Sequence, residues 1–221
     1  MQPLELRMMG GFGNQCLQWL HAKKRAELED RDLFTPAWPG EEVFMIEGKR
    51  PDGQPAEPVR GYFQRQQDIN YSIADVRRWF RFRPKMLAFE ATAPKRFAHI
   101  RRGDYLNSEY PIIAESAVRE AIFHAGYHPS TFIILTDGPV SWHHKSELDF
   151  VADFVKMATS DILFRANSTF SFVAGMLCRG KVYAPIVDKL KGGAENDPVK
   201  YVEGNWPKCS TYSTDLHIPN T

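Results

Sequence analysis

Short runs of β-branched and apolar residues alternate along this chain with stretches of helical periodicity, and this alternation constrains the fold more than any other feature. Residues 131–135 (TFIIL) form the sharpest run, a buried-strand pattern ended by Thr136, Asp137, Gly138 and Pro139. Residues 97–100 (FAHI), 162–164 (ILF) and 181–184 (KVYA) repeat it on a smaller scale. Between them, residues 114–125, 153–158 and 170–177 carry helical spacing, and Asn167, Ser168 and Thr169 form a turn that opens the last helix. Strands alternating with helices imply parallel βαβ units, so the expected class is α/β.

The N-terminal part reads as a smaller unit of the same kind. Leu4, Leu6 and Met8 alternate with polar residues, and Met9 leads into Gly10, Gly11 and Gly13, a strand running into a glycine-rich turn. Asn14 is expected to cap the next helix, whose apolar stripe is Leu17, Trp19 and Leu20. Residues 31–58 hold many prolines and glycines around the apolar island Val43, Phe44, Met45 and Ile46, and read as loop with one short strand. Residues 73–82 read as a helix with Asp75 near its start and Pro84 closing it. The polar tail after Lys191 reads as irregular. Two Rossmann-like lobes with parallel sheets follow, 1–88 and a larger 89–221, with the N-terminal lobe reduced.

Bulk composition narrows the classes of function. A 221-residue chain that is 43% apolar and 25% charged has a globular balance. A net charge of +1 lacks the basic excess of general nucleic-acid binders, so no nucleic-acid partner is expected and any anion must be gripped locally. Cys16, Cys178 and Cys209 are few and widely spaced, which suits reduced thiols in the cytoplasm rather than a zinc cluster or a disulfide framework. His143 and His144 have no carboxylate at metal-ligand spacing, so no metal site is expected there. Neither a secretory leader nor a run of about 18 apolar residues is present, so no transmembrane segment is expected. Arg77, Arg78, Arg81, Arg83 and Lys85 interleave with Trp79, Phe80 and Phe82. A solvated helix face explains them; contact with an anionic acceptor or peripheral association with a membrane surface is the alternative.

Ligands of open α/β sheets sit beyond the carboxyl ends of the strands, and four constellations fall there. The first is His99-x-Arg101-Arg102-Gly103-Asp104-Tyr105. One guanidinium can bind a phosphate in bidentate fashion while the other pairs with a carboxylate, and Asp104 is placed to orient an arginine. Gly103 permits close backbone approach, and His99 can donate to a phosphate oxygen. An exposed charged turn is the plain alternative, and Arg-Gly-Asp also matches an adhesion tripeptide. The second, Asn167-Ser168-Thr169-Phe170-Ser171, opens a helix whose N–H groups and hydroxyls suit a phosphate, although an ordinary N-cap explains it equally. The third is the turn with Gly10, Gly11, Gly13, Asn14 and Gln15, which can lie beside a sugar nucleotide or be a tight turn only. The fourth, Asp137, can accept two hydrogen bonds from guanine or bind a ribose, or simply be a turn aspartate.

Taken together and in order, these segments resemble the alpha-1,2-fucosyltransferase family, within the wider GDP-fucose-dependent glycosyltransferases that carry the HxRRGD motif. GGFGNQCLQ is similar to the opening GGxGNQxxQ, GYFQ at residues 61–64 to a short family motif, and HIRRGDY to the signature itself. ILTDG, ANSTFSFVAG and VYAP resemble the segments that follow, collinear from Gly10 to Pro185. The resemblance implies a GT-B fold in which the C-terminal lobe holds GDP-fucose and the N-terminal lobe an oligosaccharide or polysaccharide acceptor. It implies inversion at the anomeric carbon with no metal or other cofactor. Carried over by position, Arg101 and Arg102 neutralise the pyrophosphate, Ser168 and Thr169 assist, and Asp137 lies near the nucleoside. Asp104 and Glu109 are the carboxylates nearest the arginines and the candidates for general base, with the leaving β-phosphate as the alternative.

This chain departs from the pattern in three places. It is shorter than usual members between the glycine turn and HIRRGDY, the acceptor side, which leaves acceptor and linkage open. Gly138 stands where members often carry a second acid, and Phe172-Val173 where they carry paired aromatics. A transferase of another GDP-sugar and a non-catalytic GDP- or glycan-binding relative are the rival readings.

Overall fold

The computed structural model describes residues 1–64, 68–90, 95–107, 110–142, 145–146, 149–186, 195–196 and 201–204. Glu109, His143, His144, Cys209 and most of the polar tail lie outside the described residues. The chain divides into two compact units, Met1–Ala88 and Phe89–Thr221.

In the first unit, β1 (Leu4–Leu6) lies between β2 (Leu33–Phe34) and β3 (Glu57–Val59), parallel to both. Helix α1 (Phe12–Glu29) follows β1 and buries Cys16, Leu17 and Leu20. Its N-cap is Gly11, with no side-chain cap, so the capping role expected of Asn14 is not filled; Asn14 sits inside the first turn. The Gly10 φ of 72° starts the helix earlier than a side-chain cap at Asn14 would. Residues Gly40–Val43 form a single helical turn, α2, and of the apolar island only Phe44 enters β-pairing, through an isolated antiparallel bridge to Phe82. Phe44 also stacks on Phe80, with ring centroids 4.2 Å apart and planes 4° from parallel. That contact also explains where α3 (Ile73–Trp79) stops. A capping box between Ser72 and Asp75 starts the helix, and Phe80 leaves it to enter the core, well before Pro84, which opens a 3-10 turn.

The second unit contains a six-stranded sheet of β4 (Arg96–Ile100), β6 (Ile133–Thr136), β7 (Lys145–Ser146), β8 (Ile162–Phe164), β9 (Lys181–Pro185) and β11 (Tyr201–Glu203). Their spatial order is β11-β9-β8-β4-β6-β7, with every pair parallel except β11 against β9. Central β4 is flanked by β6, with Phe97 opposite Ile133, and by β8, with Phe97 opposite Leu163. Phe97, Ala98, Ile134, Leu135, Leu163 and Phe164 are fully buried, as the middle of a parallel sheet requires. The connecting helices are α4 (Glu115–His124), α5 (Phe150–Ala158), capped by Asp149, and α6 (Thr169–Leu177), capped by Ser168. A separate parallel pair joins β5 (Ile112–Ile113), which sequence patterning does not mark, to β10 (Glu195–Asn196), and β10 and β11 lie in the tail that it reads as irregular. Both are too short for alternation to show. The parallel order sets the carboxyl ends of β4, β6 and β8 side by side, which positions the site.

Candidate functional site

Three loops meet beyond those strand ends: residues 101–105 after β4, Asp137 and Gly138 after β6, and residues 165–169 after β8. The first two are fastened by one carboxylate. Asp137 Oδ1 accepts the backbone N–H of Arg102 at 2.8 Å, and Oδ2 meets Arg101 Nη1 at 2.5 Å. The Arg101 guanidinium also donates through Nη2 to Asp104 Oδ1 at 2.6 Å and lies over the Tyr105 ring, 5.4 Å from its centroid. Arg101 is thus shared between two acids, of which Asp104 is 63% exposed. Arg102 is buried. The carboxylate of Asp137, expected near a nucleoside, is engaged with the neighbouring loop through both oxygens.

Two glycines make the contact between these loops possible. A Cβ on Gly103 would stand 2.3 Å from Asp137 Oδ2, and one on Gly138 would stand 2.4 Å from Arg102 Cβ. The second clash involves the base of a side chain, which cannot swing away. Gly138 at the position of a family acid therefore has a steric reason in this chain.

His99 is buried on β4, and its ring is tilted against Phe170 of α6, 5.8 Å between centroids. Burial holds its pKa down to about 4; Asp137 pulls the other way and Arg101 reinforces the fall. The ring is therefore neutral near pH 7, with one nitrogen a donor and one an acceptor. Its Nδ1 is buried and has no hydrogen-bond partner among the described residues.

The third loop carries the start of α6. Ser168 is the N-cap and its Oγ accepts Ser171 N–H at 3.3 Å, so the first-turn N–H groups of α6 and their partial positive charge open at the end of β8. Thr169 and Phe170 occupy that first turn. Asn167 is buried and works as a tie: its Nδ2 donates to Pro111 O at 2.8 Å, and its carbonyl accepts Tyr105 O–H at 3.2 Å. That last bond joins the arginine loop to the start of α6.

Gly11, Gly13, Asn14 and Gln15 lie in the other unit, where their turn has its own polar scaffold. Asn14 Oδ1 accepts Gln64 Nε2 at 2.7 Å, and Gln15 Nε2 donates to Gly10 O at 3.0 Å. Buried Gln18 clasps Met9 from both sides, at 2.9 Å to its N–H and 2.9 Å to its carbonyl.

Sequence reasoning marks the glycine turn but not which glycine bends it, and it assigns no role of their own to Tyr105 and Arg165. Gly10, not Gly11 or Gly13, is the glycine of this turn with a positive φ. Tyr105 was read only as the end of a motif. Arg165 falls between the strand at 162–164 and the turn at 167–169, where sequence patterning assigns nothing, and it is fully buried. An arginine inside ILFRA was the available signal.

Among the described residues, no group of three or more His, Cys, Asp or Glu side chains is placed to hold a metal ion, and no helix is long and apolar enough to cross a membrane. The arrangement can bind an anion beside a neutral imidazole, with two arginines, a helix start and oriented carboxylates at hand.

No protein-family model and no curated protein matches the sequence. Solved structures do share its fold. The crystal structure of NodZ alpha-1,6-fucosyltransferase soaked with GDP-fucose matches over 92% of this chain and 99% of its own, with a TM-score of 0.57 at 12% identity. The crystal structure of fucosyltransferase NodZ from Bradyrhizobium matches over the same shares, 92% and 99%, with a TM-score of 0.51 and 12% identity. The chain therefore has an α/β fold whose two larger sheets are parallel apart from the β11–β9 pair, of the GT-B type that these structures represent.

Proposed function

We propose that this protein is an inverting, metal-independent glycosyltransferase that moves fucose from GDP-fucose to a hydroxyl of an oligosaccharide or polysaccharide. The observation that carries the reading is the junction of the arginine loop, Asp137 and the start of α6 at adjacent carboxyl ends of a parallel sheet. A diphosphate leaving group needs charge stabilisation in the transition state, and this junction gathers the groups that supply it. Fucose as the sugar is supported by the motif resemblance and by the fold likeness to a fucosyltransferase. The alpha-1,2 linkage to a galactoside is the finer reading, resting on the motifs alone.

The second unit would hold the donor and the first the acceptor. In the reaction, the acceptor oxygen bonds to C1 of fucose while the bond from C1 to the phosphate oxygen breaks. GDP leaves with the electron pair, and the transition state has oxocarbenium character. Arg101 or Arg102 stabilises the departing diphosphate. The acceptor proton goes to Asp104, Glu109 or the β-phosphate itself.

Thermal unfolding with saturating GDP, UDP and ADP, in EDTA, tests the donor. A ligand at a hundred times its Kd adds about 2.7 kcal/mol and raises the midpoint by roughly 5–10 °C in a chain of this size. A shift for GDP alone, abolished by Arg101→Ala, is expected. A larger UDP shift discards fucose, and no shift with any nucleotide discards the transferase. Where transfer is measured, Arg101→Ala turnover within tenfold of wild type would falsify the leaving-group role.

A further inference from the structure

Arg165 stands immediately beyond the carboxyl end of β8 and one residue pair before the N-cap of α6, and it is among the largest fully buried side chains of the described residues. Removing a guanidinium from water is expensive, and a strand end next to an apolar core has cheaper occupants. Its Nη1 donates to Ala166 O at 3.0 Å, and its Cζ lies over the Phe172 ring, 5.4 Å from the centroid. The same Ala166 carbonyl accepts Ser171 Oγ at 3.1 Å, and Ser171 Oγ lies 3.2 Å from Ser168 Oγ. A continuous chain of contacts therefore links the buried cation to the cap of α6.

We infer that Arg165 is a positioning residue for diphosphate binding: it pins the Ala166 carbonyl so that the start of α6 is held open, and it adds a buried positive charge behind that helix terminus. This rests on the reading of the junction as a diphosphate site. The guanidinium remains protonated at any working pH. Buried, it is screened far less than a surface lysine, so its field adds to the helix terminus instead of dissipating in water. Phe172, where relatives of the resembled family carry the first of paired aromatics, supplies the face that carries the guanidinium. The role belongs to phosphate, not to the base or the sugar, because the contacts run to the helix start.

A unit charge about 10 Å from an anion, at an effective dielectric near ~20, changes affinity on the order of tenfold. Calorimetric titration of the full chain with GDP and with guanosine isolates that term. Arg165→Met, similar in volume and uncharged, is expected to lower the GDP-over-guanosine affinity ratio about tenfold and to leave guanosine affinity within about twofold. Arg165→Lys keeps the charge and is expected to stay within about threefold of the wild-type ratio. If the methionine protein keeps the wild-type ratio, or loses both affinities in proportion, Arg165 is scaffold and the inference is overturned. Should that protein not fold, the lysine protein decides, because a tenfold fall in its ratio has the same consequence. A wild type that binds GDP no better than guanosine sinks the diphosphate reading itself, and the inference with it.

Discussion

The guanidinium of Arg101 meets the carboxylate of Asp137 at 2.5 Å while the same carboxylate holds the backbone N–H of Arg102 at 2.8 Å. One side chain from the loop after β6 thus sets both the backbone and the charge of the loop after β4. Asp137→Ala leaves an N–H and a half-covered arginine without that partner, and is expected to cost about 1–2 kcal/mol, as the pair is partly exposed. Asp137→Asn keeps an acceptor for Arg102 N–H and is expected to cost about half as much. Urea unfolding at pH 7 measures both; equal losses in the two variants would mean that the charge, not the backbone bond, is what matters.

Gly138 should be the less tolerant of the two glycines between these loops. A Cβ there meets Arg102 Cβ at 2.4 Å, whereas one on Gly103 meets the end of the Asp137 carboxylate at 2.3 Å. Gly138→Ala is expected to destabilise by about 1–3 kcal/mol through backbone displacement. Gly103→Ala should move Asp137 aside, with a smaller stability loss but a clear fall in GDP affinity. Unfolding midpoints and GDP titration on the same samples separate the two effects. Gly138→Asp, restoring the acid of the resembled family, is expected to be no better tolerated than Gly138→Ala.

His99 makes stability fall on acidification. Its folded pKa of about 4 lies below the ordinary 6.5, so between those values the unfolded chain takes up a proton that the folded chain refuses. The contribution is fully present above pH 6.5 and is lost progressively below it. From pH 7 to pH 5 this group alone should remove about 2 kcal/mol. Denaturant unfolding of wild type and His99→Gln at the two pH values checks it: the variant should lack that part of the slope, and identical slopes would show that His99 is not buried as described.

Ser168 should matter twice. As N-cap of α6 it accepts Ser171 N–H, and Ser168→Ala is expected to cost about 1 kcal/mol of stability. Ser168→Gly should recover most of that loss, since glycine is a tolerable cap. If the hydroxyl also meets phosphate, GDP affinity stays low in the glycine variant even though stability returns. Recovery of both together would confine Ser168 to capping.

Local patterning alone determined the α/β class, the central strands and the places where strands hand over to loops. Residues 97–100, 133–136 and 162–164 are apolar at nearly every position, His99 and Thr136 excepted, because both faces are covered, a condition written into each segment. The start of α6 was legible because Ser168 caps through a bond to a residue only three positions on, whereas α5 begins at Phe150 behind its cap Asp149, three residues before the helix expected at 153–158. What tertiary structure decided were relations between distant segments. Helix α3 stops at Trp79 because Phe80 finds Phe44, and no residue within the helix encodes that stop. Strands β5 and β10 are two residues long and exist only through pairing with each other. At the site, sequence marked Arg101, Asp104 and Asp137 as charged residues at strand ends. That Asp137 turns onto Arg101 and Arg102, that Asn167 ties Tyr105 to Pro111, and that Arg165 lies inside the molecule all follow from parallel strands bringing loops together across 30 or more positions. Hydrogen bonds and burial of that range depend on geometry that the sheet supplies and that no local pattern contains.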